Sequence, residues 1–385
     1  MESKIKKRIG IDARFYGPVG KGLGRYVQEV ADRVIAGGKD EFEFVVFLSQ
    51  DNFESFSCPP NAVKRLVRLR WYSWREQVFF PRLIAREKLD LIHFPHFNVP
   101  LFTPVPFIVT IHDLILTRFP SRRASMLPPV IYWLKQIAYR VVVRSAIQRA
   151  REVITVSEFT KNDIIERFKA DPDKIRITYE GVADLSGEQE TDSASVLLKY
   201  GISRPFLLYV GNAYPHKNLD RLLEAYSALR KNRPEFSLVM VGKHDYFYRR
   251  IIEQAETLGL NASMQGKAVF PGFVPDADLS SLYKEASLYI FPSLYEGFGL
   301  PPLEAMSHSC PVVSSDQGSL PEILSDAAEY FNPYEAGNIA AAIERVLADN
   351  RRQQELVTRG REHISKYSWQ DCARKTLDSY RQALR

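Results

Sequence analysis

Short apolar runs alternate with longer segments of helical period almost from one end of the chain to the other, and the whole alternation occurs twice. Such a rhythm predicts parallel sheets with crossover helices rather than sandwiches or helical bundles. In the first half the predicted strands are Ile9 to Ala13, Phe44 to Leu48, Leu91 to Phe94, Phe107 to Ile111, Val153 to Val156 and Ile175 to Thr178. Helices are predicted between them near residues 24 to 36, 74 to 88, 125 to 149 and 158 to 168. In the second half the strands are Phe206 to Val210, Ser237 to Val241, Val269 to Pro271, Leu288 to Phe291 and Val312 to Ser314. Their helices lie near residues 218 to 231, 246 to 258, 278 to 286, 302 to 308 and 336 to 349.

The polar, turn-rich segment Asp184 to Ser195 breaks the rhythm and reads as a linker. A chain of 385 residues, 45% hydrophobic and 25% charged, has room for two domains of ordinary size. The expected organisation is α/β, with a Rossmann-like domain over residues 1–183, the linker 184–195 and a second Rossmann-like domain over residues 196–366. Sheets of this kind take ligands at the carboxyl ends of their strands. Two of them facing each other would enclose a cleft, with a donor on one wall and an acceptor on the other.

Charge is unevenly spread. Up to residue 180 there are 30 Lys and Arg against 20 Asp and Glu, and after it 22 against 26. From Leu114 to Arg151 there is no acid, while Arg118, Lys135, Arg140 and Arg144 gather beside Tyr132, Trp133 and Tyr139. That face suits anionic lipid headgroups or a phosphorylated acceptor; a solvated helix face with snorkelling arginines is the competing reading. Nucleic-acid binding is not expected, because no recognised motif accompanies the basic half. The greasiest segment, Met126 to Ile147, is interrupted by Lys135, Gln136, Arg140 and Arg144 and is not expected to span a membrane. A basic tetrad, Lys4, Lys6, Lys7 and Arg8, runs straight into the first strand without an apolar leader. Cys58, Cys310 and Cys372 match neither a disulfide framework nor a zinc spacing. The expected location is the cytoplasm, at the inner face of the membrane if the basic face docks there.

The sharpest local pattern is Tyr295-Glu296-Gly297-Phe298-Gly299-Leu300-Pro301-Pro302-Leu303-Glu304. It follows a predicted strand, and its proline pair suits the first turn of a helix. Backbone amides and the positive end of a helix at such a crossing can hold a diphosphate, while Glu296 and Glu304 accept hydrogen bonds from hydroxyls on two parts of one ligand. At the first strand-to-helix turn of the second half stands Gly211-Asn212-Ala213-Tyr214-Pro215-His216-Lys217-Asn218. There Lys217 can offer a point charge to a phosphate, and Asn218 can cap the following helix.

In the first half Gly20-Lys21-Gly22-Leu23-Gly24-Arg25-Tyr26 follows the opening strand and begins a helix. Glycines at spacing two allow a ligand close to the backbone but depart from the dinucleotide fingerprint, which disfavours a hydride-transfer cofactor. His112 closes a strand and should project into the same crevice. Asp276-Ala277-Asp278 has the look of a cation-holding acidic pair, yet its place after Pro275 at a helix start explains the charges better, and no metal site is expected. His93 and His96 lack a carboxylate or cysteine to complete a metal site, which leaves acceptor contact or packing.

Taken together these residues resemble glycosyltransferase family 4, whose members have the two-lobed GT-B fold. The resemblance runs from Gly20 to Tyr26 through His112-Asp113, Ser157-Glu158-Phe159-Thr160 and Pro215-His216-Lys217-Asn218 to Glu296 through Glu304 and Gly318-Ser319-Leu320-Pro321-Glu322. It implies that Glu296 contacts the donor sugar, Glu304 the ribose, and Lys217 with the amides of Phe298, Gly299 and Leu300 the diphosphate. Gly297 lies in the same loop. It further implies that His112 sits by the transferred sugar, that the loop of Gly272, Phe273 and Val274 meets the base, and that the glycine loop serves the acceptor or a phosphate. A last helix within 367–385, Trp369 to Leu384, would cross back to the first lobe, and Trp71 to Phe80 would line the acceptor side as a lipid-facing wedge or as core.

Many relatives carry arginine where this chain has Asn212, so His216 or the basic first lobe would have to meet the phosphate charge. The Pro-His-Lys-Asn sequence resembles a mannosyltransferase-like branch, which makes GDP-mannose the expected cosubstrate and a glycan or polyprenyl-linked hydroxyl the expected acceptor. No other cofactor is implied. The implied reaction is metal-independent hexosyl transfer with retention, the leaving phosphate helping to deprotonate the acceptor. Two rivals stand beside it: a glycoside hydrolase using Glu296 and Glu304 as acid and nucleophile, and a nucleotide-sugar-binding subunit without turnover.

Overall fold

The structure is a computed structural model and describes residues 6–17, 21–119, 128–182, 192–260 and 267–385. The described chain divides into two compact units, one built from residues up to 181 together with Ser368–Arg385, the other from Val182–Tyr367.

The first unit carries β1 (Lys7–Asp12), α1 (Lys21–Gly37), β2 (Phe42–Leu48), β3 (Ala62–Leu66), α2 (Trp74–Arg86), β4 (Leu91–Phe94), β5 (Phe107–Ile111), α3 (Ile115–Arg118), α4 (Pro129–Arg149), β6 (Glu152–Thr155), α5 (Glu158–Phe168) and β7 (Ile175–Ile177). Its seven strands lie in the order β3-β2-β1-β4-β5-β6-β7, all parallel. β4 and β5 are buried along their whole length, as strands covered by helices on both faces must be. Phe47, Phe80, Phe94, Phe107 and Ile111 belong to the core between sheet and helices.

The second unit carries α6 (Ser193–Lys199), β8 (Phe206–Val210), α7 (Leu219–Leu229), β9 (Ser237–Val241), α8 (Tyr246–Thr257), β10 (Ala268–Gly272), α9 (Asp276–Glu285), β11 (Leu288–Phe291), α10 (Leu300–Ser307), β12 (Val312–Ser315), α11 (Leu320–Leu324), β13 (Ala328–Phe331), α12 (Ala336–Ala348) and α13 (Asn350–His363). Its six strands, also parallel, run β10-β9-β8-β11-β12-β13. Pro271 is tolerated because β10 is an edge strand.

The last helix, α14 (Trp369–Ala383), belongs to the first unit. It packs along α1 and is pinned by Tyr380 Oη to His93 Nδ1 at 2.9 Å and by Ser379 Oγ donating to Glu152 Oε1 at 2.7 Å.

Three expectations change. The segment expected as a linker lies outside the described residues up to 191, and from Ser193 the chain is already α6, capped by Asp192 accepting from Ala194 N at 3.1 Å. β3 and β13 are edge strands whose residues are only partly apolar, Ala-Val-Lys-Arg-Leu and Ala-Glu-Tyr-Phe, so neither stands out as an apolar run. α13 buries only Leu356, Gly360 and His363 on an otherwise charged helix, too narrow a stripe to announce itself.

Candidate active site

In the second unit three loops follow adjacent parallel strands: Gly211 to Lys217 after β8, Pro292 to Gly299 after β11, and Asp316 to Ser319 after β12. The sheet winds outward from β8 in one direction and from β11 in the other, and a doubly wound sheet receives its ligand where the order reverses. The loops are stitched together by their own polar groups. Leu294 N donates to the His216 carbonyl at 2.7 Å, Ser319 N to the Glu296 carbonyl at 3.3 Å, and Ser319 Oγ to the Phe298 carbonyl at 3.1 Å.

Asn218 stands at the N-cap of α7 in a left-handed conformation, but its side chain does not cap. Its amide donates to the carbonyls of Pro292 at 3.2 Å and Pro333 at 2.7 Å, and its Oδ1 accepts from Arg221 at 2.9 Å. The expected cap is instead a cross-link between strand ends.

Lys217 Nζ and Glu296 Oε1 meet at 2.5 Å from opposite sides of the reversal, with Lys217 5.3 Å from the centre of the Phe291 ring. Gly318 backs this pair. Its φ is +67°, and a Cβ there would lie 2.9 Å from Glu296 N. Only glycine supplies both the left-handed backbone and the clearance.

Glu304 lies on α10, partly buried, and Oε2 accepts from Tyr283 Oη at 3.1 Å. Gly299 is the N-cap of α10, and Pro301 and Pro302 have no N–H. The amides a phosphate can meet before Leu303 are therefore those of the loop and of Leu300. Phe298 is buried, so it too would act through its backbone.

His216 is pushed down to about 4, by burial first and by the Lys217 charge second, with Glu296 opposing. A neutral ring offers an N–H rather than a positive charge. Asn212 is occupied locally: its carbonyl accepts from Tyr209 Oη at 2.7 Å and its Oδ1 from Tyr214 N at 3.3 Å. Phe273 is 74% exposed whereas Val274 is buried at 3%, so of the two side chains only Phe273 is free to meet a base. Asp278 is bound to Lys199 Nζ and Tyr200 Oη, each at 2.7 Å.

In the first unit Gly20 lies outside the described residues. Gly22 and Leu23 open α1 and Arg25 follows, partly buried. A Cβ on Gly24 would sit 2.0 Å from the Gly17 carbonyl oxygen, so that glycine lets α1 pack on its own preceding loop. Tyr26, grouped by sequence with the ligand loop, is fully buried; its hydroxyl pairs with Thr110 Oγ1 at 3.2 Å and its ring meets His112 edge-on at 4.4 Å.

His112 follows β5 directly. Its Nδ1 lies 3.1 Å from Glu180 Oε1 and its Nε2 2.9 Å from the Pro95 carbonyl oxygen. Burial opposes the ring's charge, but Glu180, the Pro95 carbonyl and Asp113 outweigh it and hold the imidazole above its usual range. His93 is committed to Tyr380 and Thr110, both at 2.9 Å, and His96 packs 4.0 Å from the Phe97 ring. Burial, followed by the nearby His112 charge, pushes both down to about 3. His93 is a packing residue, whereas His96 is partly exposed, lies between the rings of Phe15 and Phe97, and has a buried Nδ1 with no hydrogen-bond partner among the described residues.

Trp71 to Phe80 divides between core and surface. Phe80 and Glu76 point into the core, where Glu76 Oε1 pairs with Arg14 Nη1 at 2.7 Å, and Arg14 also chelates Asp12 through two 2.7 Å bonds. Trp74, Val78 and Phe79 are exposed. The partners Glu180, Tyr283 and Arg14 were not singled out by sequence. For Glu180 a signal existed, since it lies just beyond the carboxyl end of β7.

Residues 20–184 match the profile of Glycosyltransferase Family 4 and residues 199–363 that of Glycosyl transferases group 1. The chain belongs to this family and is a glycosyltransferase of GT-B fold. It is 29% identical over 377 residues to the O-antigen chain mannosyltransferase B of Escherichia coli, covering 94% of this chain and 96% of that one. It is 24% identical over 316 residues to the O-antigen chain mannosyltransferase RfbU of Salmonella typhimurium, covering 80% and 78%. The sucrose-phosphate synthase structure from Thermosynechococcus elongatus superposes with a TM-score of 0.76 at 22% identity, covering 98% and 99% of the two chains.

Proposed function

We propose that this chain moves mannose from GDP-mannose to a hydroxyl of a glycan or polyprenyl-linked acceptor in cell-surface polysaccharide synthesis, with retention and without a metal ion. The observation that carries the reading is the Lys217–Glu296 pair beside the start of α10. Without donor, the two charges satisfy each other. With donor, the diphosphate takes Lys217 and the amides up to Leu300, sugar hydroxyls take Glu296, and the ribose takes Glu304, already oriented by Tyr283. Lys217 and the helix start place positive charge at the departing diphosphate, where a cation would otherwise be required. The names of both mannosyltransferase relatives support the choice of sugar.

A hydrolase reading needs one of the two acids to give a proton. Glu296 is instead ion-paired to Lys217 and Glu304 accepts from Tyr283, so both are set up as acceptors.

The first unit would meet an anionic membrane. Exposed Trp74 and Phe79 on α2, Phe102, and Trp133 and Ile137 on α4 stand among basic side chains. The three elements are neighbours, because Gln77 Oε1 accepts from Leu101 N at 2.9 Å and Arg149 bonds to the carbonyls of Leu101 and Thr103. Among the described residues no helix is long and apolar enough to cross a membrane.

The test is a donor panel followed by product analysis. GDP-mannose should raise the melting temperature more than UDP-, ADP- or dTDP-hexoses, and transfer in the presence of EDTA should give an α-linked mannoside. Stabilisation by another nucleotide sugar alone overturns the donor, a β-linked product overturns retention, and loss of transfer in EDTA overturns metal independence.

A further inference from the structure

We propose that Glu180 is a positioning residue for His112: with the Pro95 carbonyl it presents an acceptor to each ring nitrogen, holding the imidazole doubly protonated and unable to act as a base. A backbone carbonyl can only accept, so the 2.9 Å contact at Nε2 requires a proton there. A carboxylate can only accept, so the 3.1 Å contact at Nδ1 requires a second. A ring with two such partners is an imidazolium, and it has no lone pair with which to take the proton of an attacking hydroxyl. The inference rests on the reading that His112 lies beside the transferred sugar. It assigns His112 there the part of a fixed positive group and leaves deprotonation of the acceptor to the departing phosphate.

The surroundings agree. From α1, Tyr26 covers the ring edge-on, and from α5, Thr160 Oγ1 donates to the His112 carbonyl at 3.2 Å, which fixes the backbone. Asp113 is the other nearby acid and also favours the charged ring. His93 and His96, from β4 and the turn after it, are neutral because burial and the His112 charge both oppose their protonation, so they add no repulsion. Glu180 is itself buried at 6% exposed, and beyond β7 its segment runs directly against α14, where a Cβ on Gly181 would lie 2.1 Å from Trp369 N. The carboxylate is therefore placed by the packing of two elements rather than by a free loop.

Nitrogen-15 NMR of the ring tests this on the full chain. In the unaltered protein at pH 7.5 both His112 nitrogens should show the protonated signature; one bare nitrogen overturns the proposal without any variant. Glu180→Gln removes the charge at constant shape. Desolvation is then less opposed, and the His112 titration should move at least one pH unit lower, a tenfold or larger change in proton affinity, with Glu180→Asp restoring part of it. An unmoved titration overturns the proposal. The kcat–pH profile separates this from the site reading: transfer by Glu180→Gln should acquire an inflection at the new His112 value. A shifted titration with an unchanged profile upholds the pairing and overturns the placement of His112 at the reacting sugar.

Discussion

Lys217 Nζ lies 2.5 Å from Glu296 Oε1, each side chain no more than 13% exposed, and the two residues come from loops on either side of the point where the second sheet reverses its strand order. Removing one partner leaves a largely desolvated charge unmatched. Lys217→Met should therefore cost roughly 3 kcal/mol of stability, and the double variant Lys217→Met/Glu296→Gln should recover most of it. Both variants should lose transfer by about 10²–10³-fold, because the donor needs the two groups separately. Urea unfolding and single-turnover transfer measure the two effects. Recovery of activity along with stability in the double variant would contradict a donor role.

Gly318→Ala tests the support behind that pair. The substitution forces an L side chain into φ +67° and a Cβ within 2.9 Å of Glu296 N, so a loss of about 1–3 kcal/mol is expected. Because the displaced backbone carries Glu296, the donor KM should rise as well. A variant of unchanged stability and KM would mean that the three loops are not coupled as their hydrogen bonds indicate.

Acid should weaken the fold before its carboxylates titrate. His93 and His96 are held at about 3 and His216 at about 4, whereas in the unfolded chain each protonates near its usual value of about 6.5. Between those limits the unfolded state binds protons that the folded state refuses, so stability present above pH 6.5 is lost as pH falls. Each such histidine contributes a slope of about 1.4 kcal/mol per pH unit. His112, held high, is protonated in both states across that range and does not counter it. Urea midpoints at pH 7 and pH 5 measure the slope, and His93→Gln should flatten it.

The outer face of α2 offers a test of membrane contact. Arg68, Arg82 and Arg86 line one groove floored by Leu69, Phe79 and Leu83, next to exposed Trp74. Vesicles rich in phosphatidylglycerol should bind the protein, and Arg82→Glu/Arg86→Glu should weaken that binding by at least tenfold, since each basic residue near such a surface contributes about 1 kcal/mol. Binding to neutral phosphatidylcholine vesicles at equal strength would refute the electrostatic part of the reading.

Much of this was legible in the primary structure, for identifiable reasons. Strands such as Leu91–Phe94 and Phe107–Ile111 are buried on both faces and declare themselves as continuous apolar runs. Lys217, Glu296 and Glu304 stand out in the sequence because glycine and proline mark the turns that present them. What pattern could not supply is the partner across space: Glu180 is 68 residues from His112, and Tyr283 is on a different helix from Glu304. Nor does proximity to a glycine loop reveal which side chains the fold turns inward, as Tyr26 does beside His112.

The position of α14 sets the order in which the polypeptide can mature. The first unit needs Tyr380 beneath His93 and Trp369 beside Tyr26, yet both arrive only after every residue of the second unit has been made. A stop near residue 367 would keep every residue from Val182 to Tyr367 and remove Trp369 and Tyr380 from the first unit, so its damage would fall at the opposite end of the molecule from the mutation.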